Sequence, residues 1–178
     1  GNILTPVEEH LYVILHKPAG YLSTKSDTHE RKTVMDLLPD KNTYPVGRLD
    51  KETEGLLLMT NDGDFAFKVT HPKFEHEKEY IVHLKAPFSD DDKKRLESGV
   101  YIDGSKTAPC KISNIKGKMC HITIHEGKKR QIRRMFEEIQ NHVIYLKRIR
   151  IGKLKLGTLK KGEYKIITKE QAEMALKK

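Results

Sequence analysis

One carboxylate in this chain stands where an acid can be offered with precision. Gly47-Arg48-Leu49-Asp50 is followed by Lys51-Glu52-Thr53-Glu54-Gly55 and then by the apolar run Leu56-Leu57-Leu58-Met59. Glycines at either end permit backbone conformations and close approaches that side chains forbid. A run that apolar reads as a buried strand, so Asp50 sits in a loop whose far end is fixed. An ionised Asp held this way can act as a nucleophile or a base. Read alone, it could equally cap a helix or pair with Arg48.

Two other residues belong beside it. Lys78 to Lys85 alternates and places Tyr80, Val82 and Leu84 on one face of a strand, where a tyrosine is ordinarily a core aromatic. Ile132, Met135, Phe136 and Ile139 recur at helical spacing. At about 100° per residue Arg133 falls on the flank of that apolar face, while Arg130 and Arg134 point more nearly away from it. Arg133 is therefore best placed to line a pocket at the core edge, and the other two to meet solvent or phosphate. Each also reads as plain surface charge.

Several common sites are excluded. Gly157 to Gly162 has the glycine spacing of a phosphate loop, but Glu163 stands where the lysine must be. There is no His-Glu-x-x-His, no dinucleotide fingerprint and no hydrolase serine between glycines. Asn61-Asp62-Gly63-Asp64 lacks the alternating ligands and closing Glu of a calcium loop and reads as a tight turn. Asp90-Asp91-Asp92 after Ser89 reads as an acidic first turn on a capped helix, not as a metal site.

The elements that must position these residues follow in order. Leu11 to Leu15 is a short buried strand stopped by His16-Lys17-Pro18-Ala19-Gly20, and Thr33 to Leu38 is a turn or two of helix before Pro39. Phe65, Ala66 and Val69 suggest a short helix, and Thr107 to Ile115 and Met119 to His125 read as strands about a turn at Lys116-Gly117-Lys118. Val143 to Ile151 and Lys153 to Leu156 are further strands, and Thr168 with Gln171 forms a capping box for a last helix. Without a regular βαβ alternation, this is an α+β chain with a largely antiparallel mixed sheet and flanking helices.

Composition bounds the partners. The chain has 178 residues, 37% hydrophobic and 33% charged, with a net charge of +9. Residues 1–110 hold 15 Lys and Arg against 19 Asp and Glu, whereas residues 111–178 hold 19 against 6. An excess of +13 in the last third favours a polyanion, with nucleic acid ahead of a membrane surface. No apolar run is long enough for a membrane span, and Cys110 and Cys120 read as two reduced, buried thiols without metal-site spacing, so a cytoplasmic location is expected.

Gly47-Arg48-Leu49-Asp50-x-x-Thr53-x-Gly55-Leu56-Leu57-Leu58-x-Thr60-Asn61-Asp62-Gly63 resembles the catalytic signature of the RsuA-type pseudouridine synthases that modify ribosomal RNA. Lys17-Pro18-x-Gly20, Glu77-Lys78-x-Tyr80, Glu126-Gly127-Lys128-x-Arg130-Gln131-Ile132-Arg133-Arg134-Met135-Phe136 and Gly162-Glu163-Tyr164 are similar to that family's other blocks, in the same order. The resemblance implies a single catalytic domain over 1–178, with two subdomains around a central cleft. Many members carry a small N-terminal RNA-binding domain, to which nothing in this chain corresponds.

It further implies that Asp50 acts on the uridine sugar, that Tyr80 packs on the target base and assists proton removal, and that Arg133 pairs with the aspartate. Leu146 would line the uracil pocket, and Arg48 would fill the gap left by an extruded nucleotide. Lys128, Lys129, Arg130 and Arg134 would contact RNA. No cofactor and no metal are expected, the partner is ribosomal RNA, and the expected state is a monomer. The alternative is an RNA-binding or ribosome-assembly module that keeps the fold without the activity.

Overall fold

The structure, a computed structural model, describes residues 9–178. Its centre is the apolar run predicted to be buried: Glu54–Thr60 forms a strand in which every residue is buried. In chain order the strands are β1 (Tyr12–Lys17), β2 (Tyr44–Val46), β3 (Glu54–Thr60), β4 (Lys78–Leu84), β5 (Tyr101–Ile102), β6 (Ser105–Lys106), β7 (Lys111–Lys116), β8 (Met119–Ile124), β9 (Val143–Ile151), β10 (Leu154–Lys155) and β11 (Tyr164–Ile167). The helices are α1 (Gly63–Thr70), α2 (Asp90–Ser98), α3 (Gln131–Glu138) and α4 (Lys169–Glu173), with short 3-10 turns at Val34–Leu37, Pro72–Phe74 and Met174–Leu176.

Nine strands form one sheet in the order β11-β1-β3-β9-β4-β8-β7, with β2 added on β3 and β10 on β9, while β5 and β6 form a separate hairpin. Pairing is antiparallel except between β3 and β9. That parallel seam joins two halves of the sheet through Glu54↔Lys147 and Gly55↔Arg148. Gly55 explains how the seam closes: its φ is +115°, and a Cβ there would lie 2.2 Å from the Arg148 carbonyl oxygen. Only glycine lets the two backbones meet so closely.

Alternation along the strands builds a core on each face. Val13, Leu15, Leu57 and Met59 join Tyr80, Val82, Ile122, Leu146 and the α3 residues Ile132, Met135 and Phe136 on one side. Tyr12, Ile14, Leu56 and Leu58 join Phe65, Val69, Ala172 and Ala175 on the other. The N-cap at Ser89 and the capping box at Thr168 form as the sequence predicts, and at Ser89 the cap is a full box with Asp92.

Four details differ from the sequence reading. The strand expected from Thr107 begins only at Lys111, because Thr107 is turned back to donate its N–H to the Val100 carbonyl and to accept from the Val100 N–H through Oγ1. Cys120 is buried, but Cys110 is only half-buried, with its thiol donating to the Leu96 carbonyl. Helix α3 starts at Gln131, leaving Arg130 outside it in a left-handed conformation with φ 54°. Strands β2, β5, β6 and β11 are not among the elements the sequence predicts. Among the described residues no helix is long and apolar enough to cross a membrane.

Candidate active site

The loop from Gly47 to Thr53 is held by side chains that reach it from distant sequence. Leu49 is buried in the same core cluster as the apolar face of α3, and its N–H and carbonyl both bond Ser23 Oγ, at 3.1 and 3.0 Å. Lys17 ends β1 with no exposed surface and donates its ammonium to the carbonyls of Pro18, Lys51 and Thr53 at 2.9, 3.0 and 2.7 Å. Gly20 N–H adds a bond to the Lys51 carbonyl, and Thr53 N–H closes a turn onto the Asp50 carbonyl. Burial pushes the Lys17 ammonium down to about 8, while Glu54, Asp50 and Glu52 favour its charged form. So many fixed carbonyls leave Asp50 little freedom of backbone movement.

Asp50 faces a cleft of about 550 Å³. Its carboxylate is partly exposed, and Arg133 from α3 approaches it, with Nε 4.0 Å from Oδ2. The guanidinium is oriented by a 3.0 Å bond from Nη2 to Thr53 Oγ1, at the residue that closes the loop turn. Arg133 Nε is buried and has no hydrogen-bond partner among the described residues. At 4.0 Å it attracts the carboxylate without bonding it. An orphaned charged donor of this kind costs free energy unless a ligand oxygen completes it. Burial and the neighbouring Arg130 disfavour the charge on Arg133, and Glu52 and Asp50 oppose them.

The remaining walls divide by chemistry. Tyr80 on β4 is 8% exposed and Leu146 on β9 is 4% exposed, and with Ile124 and Ile132 they give the cleft its apolar lining. Arg48, Lys128, Lys129 and Arg130 line it with cations. Arg130 pairs with Glu52 across the mouth at 3.1 Å, an exposed contact worth little in stability. Gln131 fixes the turn before α3: its Oε1 accepts from Lys128 N–H and its Nε2 donates to Glu126 Oε1.

Eight of the nine residues singled out from the sequence therefore share one cleft: Arg48, Asp50, Tyr80, Lys128, Lys129, Arg130, Arg133 and Leu146. Arg134 does not. It lies outside the lining and forms an ion pair with Asp103 at 2.6 Å, since its place in α3 turns it toward the β5–β6 hairpin. Lys17, Ser23 and Thr53 are not among the site residues the sequence predicts, although they orient the acid and its arginine. A lysine closing an apolar strand before Pro18-Ala19-Gly20 is the available signal.

Known proteins give this geometry a family. The model of the RNA pseudouridylate synthase family matches residues 11–138. The chain belongs to the RNA pseudouridylate synthase family. It is thus an enzyme of the pseudouridine synthase class, which isomerises uridine in RNA. It is 42% identical to the ribosomal large subunit pseudouridine synthase B of Bacillus subtilis (strain 168), across 93% of this chain and 71% of that protein. It is 36% identical to the ribosomal small subunit pseudouridine synthase A of Escherichia coli (strain K12), across 96% and 76%. A crystal structure of a pseudouridylate synthase superposes with a TM-score of 0.88 at 32% identity, covering 97% of this chain and 76% of the other. The α+β fold with its mostly antiparallel sheet is that of this pseudouridine synthase.

Proposed function

We propose that this chain converts a uridine of ribosomal RNA to pseudouridine, with Asp50 as the group that acts on the sugar. The observation that carries the reading is the placement of Asp50 Oδ2 4.0 Å from the unpartnered Nε of Arg133, at the mouth of a cleft walled by Tyr80 and Leu146. A binding module has no use for an oriented acid and arginine above an apolar floor. The large- and small-subunit relatives support ribosomal RNA as the substrate class.

The reaction is an isomerisation in which every atom is kept or exchanged with water. The bond from uracil N1 to the sugar C1′ breaks, a bond from C5 to C1′ forms, C5 gives up a proton and N1 gains one. Asp50 acts while ionised, either by attacking the anomeric carbon or by helping to remove the neighbouring sugar proton. Arg133, its Nε 4.0 Å from Oδ2, attracts the negative carboxylate without bonding it. Tyr80 packs on the base and assists removal of the C5 proton. Leu146, Ile124 and Ile132 exclude water and keep the detached uracil from escaping while it turns.

Reaching the base requires taking it out of its stack, at a cost of about a few kcal/mol. Arg48, exposed beside Asp50, fills the gap left in the RNA, and Lys128, Lys129 and Arg130 hold flanking phosphates. Mapping pseudouridines in ribosomal RNA from cells lacking this chain tests the reading. Loss of one position, restored by the wild-type chain and not by Asp50→Ala, is expected. An unchanged map would overturn it.

A further inference from the structure

The β5–β6 hairpin is small, exposed and tied to the cleft, and neither the core nor the proposed chemistry explains the side chains it presents. Tyr101 is 64% exposed, although its neighbour Ile102 is buried and anchors the strand. It is paired across the hairpin with exposed Lys106, so an aromatic ring and a cation lie side by side on one surface. The turn between them, Asp103-Gly104, has φ values of 52° and 77° at successive residues, the arrangement of a tight hairpin turn. At the other end, Gly99 lets the chain return: a Cβ there would lie 2.4 Å from the Thr107 carbonyl oxygen.

Two contacts fix this hairpin, one to the basic wall and one to the outer side of α3. Lys128, which lines the cleft, donates through Nζ to Ser105 Oγ at 3.2 Å, and Arg134 of α3 pairs with Asp103 at 2.6 Å. The hairpin thus continues a surface that already holds Lys128, Lys129 and Arg130. A lone exposed tyrosine is unremarkable. A tyrosine beside a lysine, on a hairpin bonded to a lysine of the cationic cleft, has the composition of a surface on which an unpaired base stacks while its phosphate is neutralised.

We infer that the β5–β6 hairpin is a second RNA contact, in which Tyr101 stacks on an unpaired base flanking the target uridine and Lys106 meets the adjoining phosphate. This rests on the reading of the cleft as an RNA site and extends it beyond the reacting nucleotide. Base stacking on an aromatic ring is tolerant of sequence, so a short fluorescein-labelled oligouridylate is a sufficient probe.

The test measures binding of that oligonucleotide to the full chain by fluorescence anisotropy, with a duplex of the same length as comparison. Tyr101→Ala is expected to weaken binding of the single strand at least about fivefold, with a smaller effect on the duplex, while Tyr101→Trp retains it. Phe67→Ala, at an exposed aromatic on α1, is expected to change neither. Equal affinities for wild type and Tyr101→Ala, with an unchanged melting temperature, would overturn the inference. So would an equal loss in Phe67→Ala. Because no turnover is read, failure here is separate from failure of the proposed isomerisation, which rests on product formation.

Discussion

Arg133 holds Thr53 Oγ1 through Nη2 at 3.0 Å and points its unpartnered Nε at Asp50 Oδ2 from 4.0 Å. One guanidinium therefore reads both the end of the Asp50 loop and the acid that loop carries. Lysine cannot reproduce this, having a single ammonium in place of a planar fork. Arg133→Lys is expected to lower the rate of pseudouridine formation by about a hundredfold, the size of effect seen when an oriented electrostatic group is lost. A single-turnover assay on ribosomal RNA transcripts checks this, and a rate within a few-fold of wild type would remove Arg133 from the account.

Lys17 gives a pH dependence with a definite sign. Its ammonium, held down to about 8, loses charge as the pH rises through that value, and the neutral amine has too few N–H groups for three carbonyls. Conversion is expected to fall above about pH 8. Folding responds in the other direction: between about 8 and the ordinary lysine value the unfolded chain binds the proton more tightly, so this group adds stability as pH rises. Lys78 is brought to about the same value by burial and by Arg148. The Lys17 share is accordingly the difference between the wild-type and Lys17→Met rate profiles, and identical basic limbs would contradict it.

Gly55→Ala tests the seam between the two halves of the sheet. A methyl group would overlap the Arg148 carbonyl at 2.2 Å on a residue whose φ is +115°. The strands must part or the backbone must strain, and a loss of about 3 kcal/mol is expected in urea unfolding. A variant as stable as wild type would show that β3 and β9 have room to spare.

The cationic wall should appear in salt dependence. Each phosphate contact on a single strand contributes about −0.7 to the slope of log K against log salt. Lys129→Ala and Arg130→Ala are each expected to lower that slope by about this amount, whereas Arg134→Ala, whose partner is Asp103, leaves it nearly unchanged. Titrations at several salt concentrations distinguish the two cases.

Much of this arrangement was legible in the sequence where the signal is local. Leu56 to Met59 could only be buried, Ile132, Met135 and Phe136 had to face the core, and Val143 to Ile151 forms the strand its composition indicates. The flank position derived for Arg133 from helical geometry is where the structure has it. Other features depend on partners far away in the chain. Strand β11 exposes Tyr164, Lys165 and Ile166 and is a strand because β1 pairs with it. The two-residue strands β5 and β6 are too short for any periodicity. The Lys17 clamp spans 34 and 36 residues to Lys51 and Thr53, a separation on which local pattern is silent. Arg130 looked helical, and only its left-handed backbone turns it into the cleft mouth.

The central claim is that Asp50 performs the chemistry while the surrounding cations only bind. Asp50→Asn keeps the size and polarity of the side chain and removes its charge, so it separates these roles. The direct measurement is pseudouridine formed in ribosomal RNA under single-turnover conditions, with RNA affinity measured on the same preparations. Complete loss of product with affinity within a few-fold of wild type is expected. Substantial conversion by Asp50→Asn would contradict the account.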